Sequence, residues 1–354
     1  MKSYINKDES KVLKGVAVIL MIMVHTFKVK WIDESVCIYD LKVNNQLFSH
    51  IIAEVLHDSS AIFAFVTGYA CALKRINFKD KIKKIQSLYI SYWVVLFTVN
   101  FPFHVINDLI INDTVSSIST GEIVKTVFGI SSNISKFNWY IIFYVFAILS
   151  FDFVGRQFLL IKNWKIRYAS VILFFFCLRI LARKLMFFNL VNESLLSIIQ
   201  SYNTMMPCWM IGYFSLVDSI YIKFDSFLEN KKIKSVIPIL MLGIIYIGKY
   251  CLKFIFMIDS GLSSFWILFE IYSILYILRY INNFSKIRKI LISIGENSLY
   301  IWLSSSVFIL ESIQPFTYVL KFPFLIVFME VIIMIVLAKM LKLIDIGLRT
   351  CLQK

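Results

Sequence analysis

The sequence has 354 residues, of which 59% are hydrophobic and 17% are charged, and its mean hydropathy is +0.77. Soluble domains average about 45–50% apolar and about 25% charged residues, so an ordinary soluble protein is excluded. Pro (5) and Gly (11) are scarce and the apolar runs are continuous, whereas a membrane β-barrel has alternating segments of about ten residues. The composition therefore predicts an all-α integral membrane protein.

The formal net charge of +15 does not indicate nucleic-acid binding. Basic residues lie between the apolar runs rather than in one patch or tail, which is the distribution that controls membrane topology. The six cysteines are scattered without a CxxC pair, so neither a metal site nor a disulfide framework is expected. The first apolar run has no small-residue cleavage site, and we interpret it as a retained helix rather than a signal peptide.

Ten apolar runs have roughly the 18–25 residues that a bilayer core requires. The predicted spans are residues 12–29, 48–73, 86–106, 137–155, 168–185, 197–217, 235–256, 264–281, 290–310 and 322–343. The fifth is the weakest, because Arg179, Arg183 and Lys184 crowd its far end. No repeat and no soluble segment is visible, so residues 1–354 are interpreted as a single membrane-embedded domain.

The distribution of Lys and Arg predicts the orientation of these spans. If the N-terminus is cytoplasmic, the inside segments hold 26 of the 37 basic residues, and each segment has at least four. These segments are residues 1–14, 74–84, 156–167, 218–234, 279–289 and 339–354. Ten spans with both termini in the cytoplasm therefore satisfy the positive-inside rule throughout, whereas an odd number would not.

The first predicted span contains two ionisable residues, Lys14 and His25. They are separated by about 16 Å along a helix, or about three turns, so both side chains lie on one face. Lys14 would lie at the cytoplasmic interface, where it can reach water or an anion, and His25 would lie beyond the midplane. An ionisable residue inside a membrane indicates a functional site. The alternative is a histidine that only forms a hydrogen bond with a neighbouring helix.

Residues 13–25, LKGVAVILMIMVH, resemble the first helix of the acyltransferase 3 family of membrane O-acyltransferases. That helix has a basic residue, then Gly, and a His after ten intervening residues. Residues 62–69, IFAFVTGY, are similar to the family's aromatic second helix, which closes in Ser-Gly-Tyr. Residues 81–89, KIKKIQSLY, are similar to its Arg-x-x-Arg pair before helix three, with Lys81 and Lys84 in place of arginine.

Two later stretches extend the resemblance over the whole chain: residues 138–140, NWY, and residues 295–302, GENSLYIW. The chain also departs from the family pattern. Lysines at the basic positions keep the charge but lack the bidentate geometry that arginine offers to phosphate. A histidine common near the end of helix nine is replaced here by Ser304 or Ser305, and no hydrolase-like soluble domain follows the last helix.

The resemblance implies transfer of an acetyl or similar acyl group from acetyl-CoA or another acyl-CoA in the cytoplasm. The implied acceptor is a sugar hydroxyl of a cell-surface polysaccharide or its lipid-linked precursor, and the implied location is the bacterial plasma membrane. His25 would be the general base, since a neutral imidazole can take the hydroxyl proton, and Lys14, the second candidate catalytic residue, would lie at the entrance for the donor. Lys14, Lys81 and Lys84 would bind the phosphates of coenzyme A as point charges. The alternative for the last two is that the six basic residues between Lys74 and Lys84 only control topology.

Five further residues are candidate substrate contacts: His57, Asp58, Trp139, Glu270 and Glu330. His57 and Asp58 would enter helix two from the outside, and their alternative is a solvated interfacial helix end. Glu270 and Glu330 lie near the centres of helices eight and ten, where a carboxylate needs a partner. Either can orient His25, pair with a basic residue or be protonated. Trp139 can line the cavity or pack between helices.

The second function class is a transporter, such as an exporter of glycan intermediates. Transporters often have internal repeats or helices broken by Gly and Pro near the midplane, and the sequence predicts neither. A glycan polymerase is a third class. It would usually have a large outer loop containing Arg and His, and the longest predicted outer loop, residues 107–136, contains neither residue type. The sequence leaves open the acceptor, the acyl group and the oligomeric state.

Overall fold

The computed structural model describes residues 3–27, 39–43, 46–74, 77–112, 119–130, 139–187, 193–229, 236–256, 262–280, 285–307 and 313–352. In these ranges the backbone is helical almost throughout, as the continuous apolar runs predict. The exceptions include two paired antiparallel strands of two residues each, β1 (Lys42–Val43) and β2 (Gln46–Leu47). The prediction of an all-α protein is confirmed.

Within the described residues there are sixteen α-helices. They are α1 (Lys7–Phe27), α2 (Phe48–Val55), α3 (Ser59–Leu73), α4 (Phe78–Val95), α5 (Phe101–Asn112), α6 (Thr120–Val127), α7 (Trp139–Leu159), α8 (Trp164–Phe187), α9 (Glu193–Val217), α10 (Ile220–Glu229), α11 (Ile237–Tyr250), α12 (Ser263–Tyr280), α13 (Ser285–Glu296), α14 (Ser298–Val307), α15 (Gln314–Thr317) and α16 (Pro323–Leu352). Helix α4 continues into α5 through a π-helical turn, Leu96–Asn100, and α11 ends in another, Cys251–Ile255. A 3-10 turn, Tyr318–Leu320, follows α15.

Six helical segments of the described chain are long and apolar enough to cross a membrane. They are Lys7–Phe27, Phe48–Leu73, Phe78–Ile106, Trp139–Leu159, Ile237–Ile255 and Pro323–Cys351. Ile198–Val217 and Ile220–Glu229, which meet at a bend of 62°, make a seventh if the pair counts as one span. These helices support a helical membrane protein, while the count of ten spans and the cytoplasmic termini stay predictions.

The other three predicted spans correspond to helices that are more charged or interrupted. Helix α8 has basic residues near both ends, and α12 is 18 residues long with Glu270 and Arg279 inside it. The span predicted at 290–310 is divided at Asn297 into α13 and α14, and its last three residues lie outside the described ranges.

The chain forms two compact units. Unit 1 comprises Met1–Ala17, Val55–Phe78 and Phe143–Gly295, and unit 2 comprises Val18–Glu54, Lys79–Ile142 and Glu296–Lys354. In unit 1, helix α9 is central and packs against α3, α8, α10 and α12. In unit 2, helix α14 packs against α16 and against the π-helical turn that follows α4.

Helices α3 and α9 of unit 1 cross with a glycine of each at the contact. A Cβ on Gly68 would lie 1.9 Å from the backbone oxygen of Trp209, and a Cβ on Gly212 would lie 2.1 Å from that of Phe65. Small residues permit such backbone contact between helices in an apolar medium. Gly68, which belongs to the IFAFVTGY stretch, therefore has a packing role.

Helices α1 and α13 form a second reciprocal contact of this kind in unit 1. A Cβ on Gly15 would lie 2.2 Å from the backbone oxygen of Leu291, and a Cβ on Gly295 would lie 1.9 Å from that of Lys11. Both glycines belong to stretches that carry the family resemblance. Close helix packing is enough to explain their identity.

The segment before α1 is attached to α3. The hydroxyl oxygen of Tyr69 accepts the backbone N–H groups of Tyr4 (2.9 Å) and Ile5 (3.1 Å). Helix α1 then begins with a capping box, in which Asn6 Oδ1 accepts the Glu9 N–H (2.9 Å) and Glu9 Oε2 accepts the Asn6 N–H (2.8 Å). The start of α1 is therefore held in unit 1 by specific hydrogen bonds.

Replacing Gly68 with alanine should destabilise the protein, because the added methyl group would overlap the Trp209 carbonyl and push α3 away from α9. Overpacking of this kind costs about 1–3 kcal/mol. The measurement is the thermal unfolding midpoint of the variant purified in detergent, which should fall below that of the wild type.

Gly243→Ala is the matched control for this prediction. No atom lies within 4 Å of the Cβ position of Gly243, which is exposed on α11. In a helix interior alanine is favoured over glycine by about 0.5–1 kcal/mol, so the control should unfold at or above the wild-type temperature. Equal midpoints for the two variants would contradict the close crossing of α3 and α9.

Candidate functional site

Lys14 and His25 lie on one uninterrupted helix, α1. Both residues are partly buried, and the Nδ1 atom of His25 is inaccessible to solvent. Because the helix has no break between them, they share one face and are separated by about 16 Å along its axis. The helical geometry on which the Lys14–His25 hypothesis depends is therefore present.

Side chains of unit 2 bind the last carbonyl groups of α1. The Gln314 amide donates to the carbonyl of His25 at 3.4 Å, and the Tyr318 hydroxyl donates to that of the next residue at 3.0 Å. The Nδ1–H group of His50 donates to the carbonyl of Phe27 at 2.7 Å. The last four carbonyls of a helix have no intrahelical partner, so these contacts hold in place the end of α1 that carries His25.

Glu330 is fully buried on α16 and binds two threonines of unit 2. The Thr26 hydroxyl donates to one carboxylate oxygen, and the Thr317 hydroxyl donates to the other at 3.1 Å. Thr26 directly follows His25, so Glu330 reaches α1 at the residue next to the proposed base. Of the two carboxylates predicted near the centres of spans, Glu330 is the one that shares a unit with His25.

Asp58, Lys249 and Glu270 form a buried ion cluster in unit 1. The Lys249 ammonium contacts a carboxylate oxygen of Asp58 and lies 2.9 Å from Oε2 of Glu270. The exposed fractions of the three residues are 4%, 8% and 0%, so water screens their charges little. The Tyr246 hydroxyl donates to Oε1 of Glu270 at 3.3 Å. Two carboxylates thus share one ammonium, and the cluster has a formal charge of −1 unless one carboxyl group is protonated.

The structure corrects the environment expected for His57 and Asp58. The sequence predicts that they enter one continuous second span, whereas the chain is interrupted there, between α2 and α3. His57 is exposed, but Asp58 is buried and its carboxylate is turned towards Lys249. The interpretation of Asp58 as a solvated helix end is therefore wrong.

Lys249 belongs to this cluster but is not among the site residues that the sequence predicts. It lies inside the predicted span 235–256. A lysine inside an apolar run requires a partner for the same reason as a carboxylate does. Glu270 in the next predicted span is the signal that could have identified the pair.

Trp139 lies at the start of α7 and packs in an aromatic cluster of unit 2. Its ring centroid is 5.7 Å from that of Tyr140 and 6.3 Å from that of Trp302, and the Tyr140 and Trp302 rings are 4.9 Å apart. Two of the stretches that carry the family resemblance therefore meet here. The contacts agree with packing between helices, and a role in substrate binding stays a prediction.

Lys81 and Lys84 lie in the first two turns of α4, in unit 2. Lys81 is buried and Lys84 is exposed. Ser305, at the position considered for the missing family histidine, donates to the carbonyl of Trp302 at 2.9 Å, and its hydroxyl oxygen lies 3.9 Å from the thioether sulfur of Met21. Met21 lies one helical turn before His25 on α1.

The described residues contain no group of three or more His, Cys, Asp or Glu side chains arranged to hold a metal ion. The fold and these sites define a helical membrane protein with buried, paired ionisable residues. Comparison with protein-family models, with curated proteins and with solved structures found no match. The family resemblance therefore depends on the sequence stretches alone.

Replacing Lys249 with methionine should strongly destabilise the protein, because Asp58 and Glu270 would be buried without a counter-charge. Removal of one partner from a buried ion pair costs about 3–5 kcal/mol. Adding Asp58→Asn and Glu270→Gln should restore most of the loss, since the triple variant buries no charge. Thermal unfolding midpoints of the single and triple variants in detergent measure both effects.

Lys223→Met is the control, because Lys223 lies on α10 of the same unit and its side chain is exposed. It should unfold close to the wild-type temperature. A Lys249→Met variant as stable as this control, or a triple variant less stable than Lys249→Met alone, would contradict the buried cluster.

Proposed function

We propose that the protein is a membrane O-acyltransferase. It would move an acetyl or similar acyl group from acyl-CoA in the cytoplasm to a sugar hydroxyl of a cell-surface polysaccharide or its lipid-linked precursor. Ten membrane spans, with both termini on the cytoplasmic side of a bacterial plasma membrane, belong to the same proposal. The observation that carries it is the pair of Lys14 and His25 on one face of α1, within a stretch similar to the first helix of the acyltransferase 3 family.

His25 is the general base of this proposal. Its neutral imidazole accepts the proton of the acceptor hydroxyl while the hydroxyl oxygen attacks the thioester carbonyl. The carbon–sulfur bond then breaks, and the imidazolium gives the proton to the leaving thiolate, so the products are an acyl ester and free coenzyme A. The ring of His25 is partly buried, and its Nδ1 atom is inaccessible to solvent.

Lysines bind the donor phosphates in this proposal. Lys14, Lys81 and Lys84 supply point charges rather than the bidentate forks of arginine. Lys84 is exposed and can meet a water-soluble donor directly, whereas Lys81 is buried and would contact a phosphate only from within unit 2.

The groups around the end of α1 act as positioning residues. Glu330 holds Thr26, and Gln314 holds the carbonyl of His25, so both limit rotation of the helical turn that presents the imidazole. A base must be within hydrogen-bond reach of the proton that it removes. His57 and Trp139 remain candidate acceptor contacts, while Asp58 and Glu270 are already bound by Lys249.

The ion cluster of unit 1 favours a second candidate function, a proton-coupled transporter. Carboxylates inside the membrane form proton relays in pumps and transporters, and transporter sites are often framed by interrupted helices. The break between α2 and α3 next to Asp58 is such an interruption, and it occurs without Gly or Pro at residues 55–59. An exporter of glycan intermediates would use the cluster to bind and release a proton.

Replacing His25 with glutamine should abolish O-acylation of the surface glycan, because an amide cannot accept the hydroxyl proton. Loss of a general base typically lowers the rate by about 10²–10⁴-fold. NMR of the purified glycan measures its ester groups, and an immunoblot of the membrane fraction should show a wild-type level of the variant.

His104→Gln is the matched control, because His104 is a partly buried histidine on α5 to which we assign no role. It should leave the ester content unchanged. Wild-type ester content in the His25→Gln variant would contradict the acyltransferase. A reduced amount of surface glycan in Asp58→Asn or Glu270→Gln, with a normal ester content of the glycan that is still present, would favour the exporter.

A further inference from the structure

A cavity of about 100 Å³ lies beside the start of α1 in unit 1. Its lining comes from α1 and the residue before it, from the C-terminal half of α12 and from α13. The polar lining residues are Asn6, Glu9, Arg279 and Arg288, and the other lining residues, such as Val12 and Leu291, are apolar. The cavity thus combines a charged part with an apolar wall.

Hydrogen bonds and ring contacts fix most of the charged part. Arg279 Nε donates to Oε1 of Glu9 at 2.7 Å, and its second terminal nitrogen donates to the carbonyl of Tyr4 at 2.7 Å. The guanidinium lies 4.1 Å from the ring centroid of Tyr4. Burial raises the pKa of the Tyr4 hydroxyl above its ordinary value, so this ring is uncharged. The contact of Gly15 with Leu291 holds α13 against α1 at the apolar wall.

The cavity carries an excess of positive charge. Glu9 balances Arg279. Arg288 adds a second guanidinium, for which the described part of the chain provides no hydrogen bond and no ion pair. A planar guanidinium matches the oxygen atoms of a phosphate and is its preferred protein partner. Lys286 and Lys289 are exposed on the same helix and add to the positive field without lining the cavity.

We propose that this cavity binds a phosphate group attached to a larger organic remainder. Arg288 contacts the phosphate, the Arg279–Glu9 ion pair forms the fixed polar part of the cavity beside it, and the apolar wall accepts the remainder. Coenzyme A carries such phosphates and is one source of the ligand. For this source the inference rests on the proposed function and deepens it. The other source is the headgroup of an anionic phospholipid. Either ligand would enter from the side of the membrane on which the N-terminus lies.

The test uses the full-length protein in neutral detergent for coenzyme A, and in nanodiscs of phosphatidylglycerol or phosphatidylcholine for the lipid. Wild type, Arg288→Gln and Lys289→Gln are compared in each. Lys289→Gln is the matched control, because it removes the same charge from an exposed position outside the cavity. The dissociation constant reports coenzyme A binding, and the difference in unfolding midpoint between the two nanodiscs reports lipid binding.

Wild type and Lys289→Gln should both bind at least one of the two ligands, and they should bind it equally well. Arg288→Gln should bind coenzyme A about tenfold more weakly, or lose the stabilisation by phosphatidylglycerol, because a charge-assisted hydrogen bond is removed. Equal unfolding midpoints of all three proteins in detergent without ligand show that Arg288→Gln is folded. Arg288→Lys keeps the charge without the fork and should be intermediate. Ligand binding unaffected by Arg288→Gln, or no binding of either ligand to the wild type, would overturn the proposal.

A failure of the phosphate-binding proposal can be distinguished from a failure of the acyltransferase proposal. If coenzyme A binds but Arg288→Gln has no effect, the cavity is not its site and the acyltransferase is untouched. If phosphatidylglycerol stabilises the wild type through Arg288 while the glycan keeps its esters in His25→Gln, the cavity is a lipid site and the acyltransferase fails.

Discussion

Backbone contact between helices at paired glycines determines how unit 1 is assembled. At the crossings of α3 with α9 and of α1 with α13, each helix presents a glycine to a backbone oxygen of the other. Inside a membrane the hydrophobic effect does little to bring helices together, so close van der Waals packing takes its place. The crossings fix the helix that starts directly after Asp58, the turn of α1 that carries Lys14, and the apolar wall of the cavity at Leu291.

Buried polar groups then select which helix faces can meet. A charge taken out of water costs several kcal/mol unless a partner compensates it. In unit 1 the Lys249 ammonium joins three helical segments through Asp58 and Glu270. In unit 2 the carboxylate of Asp345 accepts hydrogen bonds from the hydroxyls of Ser91 (2.7 Å) and Tyr300 (2.5 Å) and pairs with Arg349 (2.7 Å). The Thr26–Glu330 hydrogen bond likewise fixes which face of α1 meets α16, next to His25, to which we assign the chemistry.

The local sequence was sufficient to predict a helix where a long apolar run is bounded by charged residues. Helices α1 and α16 are of this kind, and both lie close to the predicted spans. It was insufficient where a distant residue decides the local structure. The interruption before α3 has no Gly or Pro signal, and Asp58 there pairs with Lys249, 191 residues further along the chain. The sequence indicated Asp58, Glu270 and Glu330 but not Lys249. The partners of these carboxylates lie on other helices, and only three-dimensional packing brings them together. At Gly15 and Gly68, two residues of family-like stretches, close helix packing is enough to explain the glycine.

We propose that His25 removes the acceptor proton during acyl transfer from the cytoplasmic side. Membrane vesicles with the cytoplasmic face outward, supplied with isotopically labelled acetyl-CoA, measure that transfer directly. A general base at this position predicts labelled ester in the glycan fraction with the wild-type protein. It also predicts at least a roughly 100-fold slower incorporation with His25→Gln at equal protein level. Incorporation at the wild-type rate by the His25→Gln vesicles, or no labelled ester with the wild-type protein, would contradict it.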